Sequence, residues 1–286
     1  MRRFTSGLAA FAVLCAVAAC TDRSAGGTAA PAVTDQPVAA PAAAPAEPRT
    51  VQLDGADEVH LTVYYLRTLG GRRYLVPEWH PVPSAAAVAT AAVEELLHGR
   101  PLFPGSRRPF PAGARLRSLH VKGGTATVDL SGAALSRGSR EERRYRLQAL
   151  VHTVLQFPTV KRVVATVGGR ARQGPLVRDR DVRLAPIALA TPAPGARVAG
   201  GRLVVKGEAS VYEGTVSLRL RDGDGRVMAQ SYTTSAAGAP DRGPFSGAVT
   251  FTPPTQAQRW TLEVFEVSPD DGALVYWVRV PVWVGR

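Results

Sequence analysis

Sulfur is nearly absent from this chain. Its two cysteines, Cys15 and Cys20, both fall within the first twenty of 286 residues, and none follows. Everything beyond position 20 therefore lacks a disulfide, a thiolate metal ligand and a cysteine nucleophile, and each folded part must stand on its hydrophobic core. The signatures of several enzyme classes are missing too. The five histidines (His60, His80, His98, His120 and His152) include no HExxH pair, no serine sits in a G-x-S-x-G elbow, and no glycine loop has the phosphate-binding spacing. Acidic residues are scarce beside basic ones: 23 Asp and Glu against 35 Lys and Arg give a formal net charge of +12. With 45% hydrophobic and 20% charged residues, the composition is that of a globular chain.

What is present at the start is an address. Met1-Arg2-Arg3 precedes the mostly apolar run Phe4 to Ala19, a basic start, apolar stretch and small-residue exit that read as an export signal over 1–19. The run is too short for a spanning helix, which needs about 20 apolar residues. Val17-Ala18-Ala19-Cys20 resembles a bacterial lipobox, in which the cysteine becomes the lipidated first residue of the mature chain and anchors it to the membrane. Residues 20–56 then run through Ala, Pro, Gly and Thr with no helical or strand period, and are expected to form a disordered tether. The protein is accordingly expected outside the cytoplasm, on the outer face of the cell membrane or, in a diderm, in the periplasm or at the outer membrane.

From about 57 to 184 the pattern is mixed. Val59, Leu61, Val63 and Tyr65 alternate as one face of a strand, and Gly70-Gly71 turns the chain into a second extended piece, RYLVPEWHPV. Ser84 is expected to cap a helix with Ala89, Ala92, Val93 and Leu96 on one side, ended by Gly99 and Pro101. RLRSLHV and TATVDLS flank a Gly123-Gly124 hairpin, and Ser139 with Glu142 makes a capping box before a helix carrying Leu147, Leu150, Val151, Val154 and Leu155. VKRVVATV is the last strand, before Gly168-Gly169. The order predicts an α+β fold, an α/β sandwich with two helices on a mixed sheet. From about 188 to 286, extended runs alternate with Gly, Pro and Asp clusters and show no helical period, which predicts an all-β immunoglobulin-like sandwich without its cross-sheet disulfide.

Two resemblances attach to these regions. AVEELLHGRP, PAGARLRSLHVKGGTATVDLS and LQALVHTVLQFPTVKRVVATVGGR resemble the GerMN domain of bacterial sporulation and spore-germination lipoproteins. Leu96, Leu97, Gly99, Pro111, Gly113, Leu116, Val128, Asp129, Leu130, Thr153, Gln156, Phe157, Val160 and Val163 lie on its recurrent positions, and Arg100 departs from it by separating Gly99 from Pro101. GEASVYEGTVSLRLRDGDG, RGPFSG and SPDDG resemble the immunoglobulin-like domain that often follows GerMN, through Gly207, Ala209, Val211, Glu213, Gly225, Phe245, Ser268, Asp271 and Gly272. The resemblance implies an envelope binding or assembly module and no catalysis.

Individual residues support few sites. His152 lies beside the apolar stripe of its helix and reads as a structural histidine, Glu94 and His98 as a solvated i, i+4 pair, and Asp129 as a turn cap. RDGDGR (221–226) lacks the ligand set of a calcium loop, its twelfth position from Asp222 being Thr233, and reads as a hairpin turn. No cofactor or metal is expected. Arg107, Arg108, Arg140, Arg143, Arg144, Arg146, Arg170 and Arg172 are candidates for a basic face. Two functions follow: an assembly module that meets an envelope protein, or a lipoprotein that holds cell-wall glycan or another anionic polymer. Nucleic acid is not an expected partner of an exported chain.

Overall fold

The two glycines at 70–71 take φ of 54° and 72°, which only glycine adopts freely, and so fold β1 (Glu58–Leu69) tightly onto β2 (Arg72–Pro83) along their full lengths. The structure, a computed structural model, describes residues 58–84, 87–136 and 138–286. The export signal over 1–19, Cys20 and the tether over 20–56 lie outside the described residues. After the hairpin come α1 (Val88–His98), β3 (Ser106–Arg107), β4 (Leu116–Lys122), β5 (Thr125–Leu130), α2 (Gly132–Ser136), α3 (Arg140–Val154), β6 (Arg162–Val167) and β7 (Arg170–Leu176). The hairpin joins β3 in one sheet of order β2-β1-β3, while β4-β5-β6-β7 form a second, mixed sheet in which β5 and β6 run parallel. The fold is α+β as the pattern indicates, with two refinements: the hairpin stands apart from the mixed sheet, and β7 extends that sheet beyond Gly169. The sequence did not betray β7, because RARQGPL is exposed along most of its length and has no apolar alternation.

Two local expectations need correcting. α1 is capped by Ala87, without a side-chain bond, and not by exposed Ser84. Gly99 ends α1 at φ −57°, so its role is not left-handed geometry. A Cβ there would lie 2.4 Å from the Glu95 carbonyl oxygen, so no side chain fits. The capping box of α3 is present in both directions, Glu142 N donating to Ser139 Oγ (3.1 Å) and Ser139 N to Glu142 Oε2 (2.8 Å).

α3 is amphipathic only at its start. From Tyr145 to Val154 every residue is buried, polar ones included, because the helix runs between elements and closes the open edge of β1. Beyond the β3 bridge that edge has no strand partner among the described residues. Gln156 supplies one instead, its Oε1 accepting from Thr62 N and its Nε2 donating to Thr62 O, both at 2.9 Å, while Thr153 Oγ1 accepts from Tyr64 N at 3.2 Å. Unpaired strand groups are costly when buried, and side chains from a helix satisfy them as a neighbouring strand would.

The second part begins with β8 (Ile187–Thr191), followed by β9 (Arg197–Val198), β10 (Arg202–Ala209), β11 (Thr215–Arg221), β12 (Val227–Thr234), β13 (Gly243–Thr250), β14 (Gln258–Val267) and β15 (Leu274–Val284). They form an all-β sandwich of two sheets, β13-β10-β8 and β12-β11-β14-β15-β9. Strict alternation fills it: Val216, Leu218 and Leu220 on β11, Leu262 and Val264 on β14, and Val278, Val280 and Val282 on β15 point inward.

The two parts share apolar contacts. β2 is buried on both faces, Leu75 packing into the α/β core while Tyr74 and Val76, with Phe103, join the sandwich core. Tyr74 meets Tyr276 edge-on at 5.4 Å. The connecting segment lies alongside β2, Leu75 N donating to Arg183 O (2.8 Å) and Ala185 N to Leu75 O (2.7 Å). Arg242, half-buried, donates to the Ala185 carbonyl from the sandwich side.

Candidate functional site

The basic face divides into three fates. Arg140, Arg143 and Arg144 from the exposed start of α3 meet Arg172 of β7 around a cleft of about 880 Å³. Arg107 and Arg108 lie elsewhere, on and after β3, where Arg108 Nη1 reaches His98 O at 3.4 Å, and exposed Arg170 at the β6–β7 turn is not among the lining residues. Arg146, one turn further along α3, points inward. It is 6% exposed and donates to Pro109 O (3.0 Å) and Ala134 O (2.9 Å), so it is a structural group and no part of a basic face. Helical spacing decides this: Arg140, Arg143 and Arg144 share a side that Arg146 leaves.

The cleft has an aliphatic floor. Leu135 from α2, Leu147 from α3, Val167 from β6 and Leu176 from β7 line it. Gln148 fixes its far wall, Nε2 donating to Val177 O (3.0 Å) and Oε1 accepting from Asp179 N (2.9 Å), so the chain after β7 is pinned to the helix. That placement aims Asp179 at Arg144. Arg144 Nε donates to Asp179 Oδ2 at 2.6 Å and its Nη2 to Asp179 Oδ1 and Asp181 Oδ2, both at 2.9 Å. These bonds raise the Arg144 guanidinium above its ordinary value and, from the other side, hold the Asp179 carboxyl below the usual carboxylate range. Arg143 donates to the Gly138 carbonyl. Arg140 and Arg172 make no hydrogen bond or ion pair among the described residues, and both are exposed.

Charge in the cleft is thus uneven. Arg144 is spent on two carboxylates, Arg143 is steadied by backbone, and Arg140 and Arg172 face each other's neighbourhood across aliphatic side chains. The only lining carboxylate among the described residues, Asp179, is already paired. Such a site can hold an anionic group with an aliphatic stem. Among the described residues it brings no base and nucleophile together.

The remaining candidates are placed as follows. His152 is 4% exposed and rests against Tyr64 at 4.9 Å between ring centres; burial, then nearby Arg178, pushes its imidazole down to about 4. Asp129 ties the β6–β7 turn to the sheet, its Oδ1 accepting from Thr166 Oγ1 (2.6 Å) and Gly169 N (3.0 Å), bonds that lower its carboxyl. Glu94 and His98 form an exposed pair at 3.4 Å. Asp222 Oδ1 accepts from the backbone of Asp224 and Arg226, closing the hairpin turn between β11 and β12.

Sequence reasoning missed two polar clusters. Fully buried Glu78 accepts from Leu102 N at 2.6 Å, and His80 lies between it (3.4 Å) and Glu95 of α1 (2.8 Å), clamping α1 to the hairpin. Glu95 therefore belongs with His80, although Glu94 beside it pairs with His98. On the sandwich, Arg219, Arg221 and Arg279 converge on Glu263 at 2.7, 2.9 and 3.0 Å. Neither cluster has a local sequence signature, because each is assembled from strands or helices distant in the chain. No helix among the described residues is long and apolar enough to cross a membrane.

Comparisons with known proteins match these two parts separately. Residues 62–173 match the family model described as sporulation and spore germination, and residues 186–273 match that of the immunoglobulin-like domain of bacterial spore germination. No curated protein matches the chain. Among solved structures, the first GerMN domain of the sporulation protein GerM from Bacillus subtilis is 25% identical over 44% of this chain and 97% of that one, at a TM-score of 0.36. The tandem GerMN domains of the same protein are 19% identical, over 68% of this chain and 61% of that one, at 0.37. A putative lipoprotein from Clostridium perfringens is 19% identical, over 42% of this chain and 82% of that one, at 0.28. The two family models thus fall one on each folded part, that of sporulation and spore germination on the α/β part and that of the immunoglobulin-like domain of bacterial spore germination on the sandwich.

Proposed function

We propose that this protein is a non-enzymatic envelope lipoprotein, anchored outside the cytoplasm through lipid on Cys20, that docks a protein partner in the cleft between α3 and β7. The observation that carries the reading is the cleft's chemistry, an aliphatic floor of Leu135, Leu147, Val167 and Leu176 beneath exposed Arg140 and Arg172. A peptide segment that alternates acidic and aliphatic side chains satisfies both: carboxylates pair with guanidiniums, bidentate where geometry allows, while the aliphatic groups leave water. Glycan stacking calls for exposed aromatic rings, and none among the described residues lines this cleft.

Photo-crosslinking in living cells from Ser136 and Gln173, which line the cleft, tests the docking. One recurrent envelope protein is expected, crosslinked through an acidic segment and lost in the double variant Arg140→Glu, Arg172→Glu. Capture of glycan fragments at these positions, or of scattered proteins unaffected by the double variant, overturns it. Anchoring is tested separately: palmitate labelling is expected in the wild type and absent after Cys20→Ala, with the variant released from the membrane fraction. Equal membrane retention without label overturns the anchor.

A further inference from the structure

The outward face of the five-stranded sheet, remote in sequence from the cleft residues, carries a second kind of surface. Strand register aligns Tyr232, Ser217, Phe265 and Trp277 across β12, β11, β14 and β15 in one row, and Gln230, Arg219, Glu263 and Arg279 in the next. Arg221 and Thr261 continue the pattern, and Arg259 lies opposite Trp283. At the sheet spacing of about 4.8 Å per strand, Tyr232 and Trp277 stand roughly 14 Å apart.

These side chains differ in how far they reach solvent. Tyr232 is 75% exposed and Trp283 46%, while Trp277 is half-buried. Phe265 is covered, and the guanidinium of Arg219 lies over its ring at 4.6 Å. That guanidinium, with those of Arg221 and Arg279, is fixed by Glu263, the single carboxylate among the outward positions of these rows. Three cations on one anion leave the face positive, and exposed Arg259 adds to it. A shallow depression lined by Ser217, Gln230 and Tyr232 places neutral hydrogen-bonding groups beside the first ring.

The geometry points to this face as a binding site for an anionic glycan, a chain of linked pyranose rings bearing carboxylate or phosphate groups. The rings at Tyr232 and Trp277 offer platforms for the apolar faces of sugars. The hydroxyl and amide groups of Ser217, Gln230 and Thr261 meet sugar hydroxyls, and the arginines meet the acidic substituents by charge complementarity. A protein hot spot needs aromatic anchors gathered in a desolvated pocket, whereas here Ser217 and the covered Phe265 stand between the rings of Tyr232 and Trp277, and a charged row runs alongside, as a glycan that alternates apolar ring faces with acidic groups requires. This site stands independently of the docking reading for the cleft, and uses other residues.

Retention of the full chain on immobilised polygalacturonate, with neutral dextran and polyglutamate as comparison probes, tests it. Polygalacturonate is expected to bind well above both. Tyr232→Ala, at an exposed position where folding is not at stake, should weaken binding about tenfold, and Arg279→Ala should weaken it by a similar factor, while Arg202→Ala, at an exposed position on the other sheet, leaves it unchanged. Absence of polygalacturonate binding overturns the assignment. So does equal binding of polyglutamate that is insensitive to Tyr232→Ala, which would make the face a general attractor of acidic chains, proteins included.

Discussion

The two folded parts treat polar side chains in opposite ways. In the α/β part Arg67, Glu78, His80, Arg146, Gln148, His152, Thr153 and Thr166 are buried, and several of them bond to backbone. In the sandwich, among the described residues, only Ser235 and Glu263 are buried polar groups, and Glu263 sits on the outward side of its sheet. Alternating strands assemble the sandwich from period, with apolar inward rows on β11, β14 and β15 and only the edge strand β12 turning hydroxyls, Ser231 and Thr233, toward β13 carbonyls. α3 has no comparable rule, since it is buried all round from Tyr145 onward, and directional bonds set its seat: Arg146 to the carbonyls of Pro109 and Ala134, Gln148 to the strand end and, just past the helix, Gln156 to the β1 edge. A helix wrapped in contacts gains its register from polar stitches, and a sheet gains its register from pairing.

The contrast can be broken at its strongest point. Arg146→Ala removes a buried side chain and strands the carbonyls of Pro109 and Ala134, so it should cost about 4 kcal/mol, read as the urea midpoint of the α/β part at constant slope. Arg146→Met, which restores volume but not the bonds, should recover less than half of that. A full recovery would mean that packing and not stitching seats α3.

His152 gives a second, pH-resolved contrast. Its imidazole is held neutral in the fold down to about 4, against an ordinary value of 6.5. Between those values the unfolded chain takes up a proton that the folded chain refuses, so stability falls as pH drops from 6.5 to 4 and levels off beyond. The loss amounts to about 3 kcal/mol. His152→Gln should flatten the denaturation midpoint across this window. The carboxyls of Asp129, Asp179 and Glu263, all lowered in the fold, lose their contributions only at lower pH, as they are protonated.

In the sandwich the matching perturbation is smaller. Glu263→Gln leaves three guanidiniums without their carboxylate, yet each of them reaches water, so a loss of about 2 kcal/mol is expected. Unfolding followed by Trp260 fluorescence, which reports the sandwich core, would detect it. Arg144→Ala is the weakest case. Its ion pairs with Asp179 and Asp181 are exposed, and thermal unfolding should not shift measurably. A clear shift would show that these pairs hold the wall of the cleft.

The sequence disclosed what periodicity and local signatures carry. The hairpin at Gly70-Gly71, the capping box at Ser139 and Glu142, and the extended runs of the sandwich are legible because each depends on neighbours in the chain. Thr153 and Gln156 were visible only as recurrent family positions, and the structure supplies their reason, the backbone of Thr62 and Tyr64. Half of the candidate arginine face came together, at Arg140, Arg143 and Arg144 with Arg172, because three of them lie on one side of a helix. What stayed hidden, such as His80 between Glu78 and Glu95 or three arginines on Glu263, depends on pairing between distant segments, and β7 was hidden by its exposure.

Strand β2 has a consequence for how such proteins are inherited. Tyr74 and Val76 belong to the sandwich's core while Leu75 between them belongs to the other. A recombination event that replaced either domain with an unrelated one would leave the survivor with an apolar scar, or a hole, that three consecutive codons cannot mend. The two domains travel most cheaply as a pair, joined not by a linker that any partner can use but by a strand written for both.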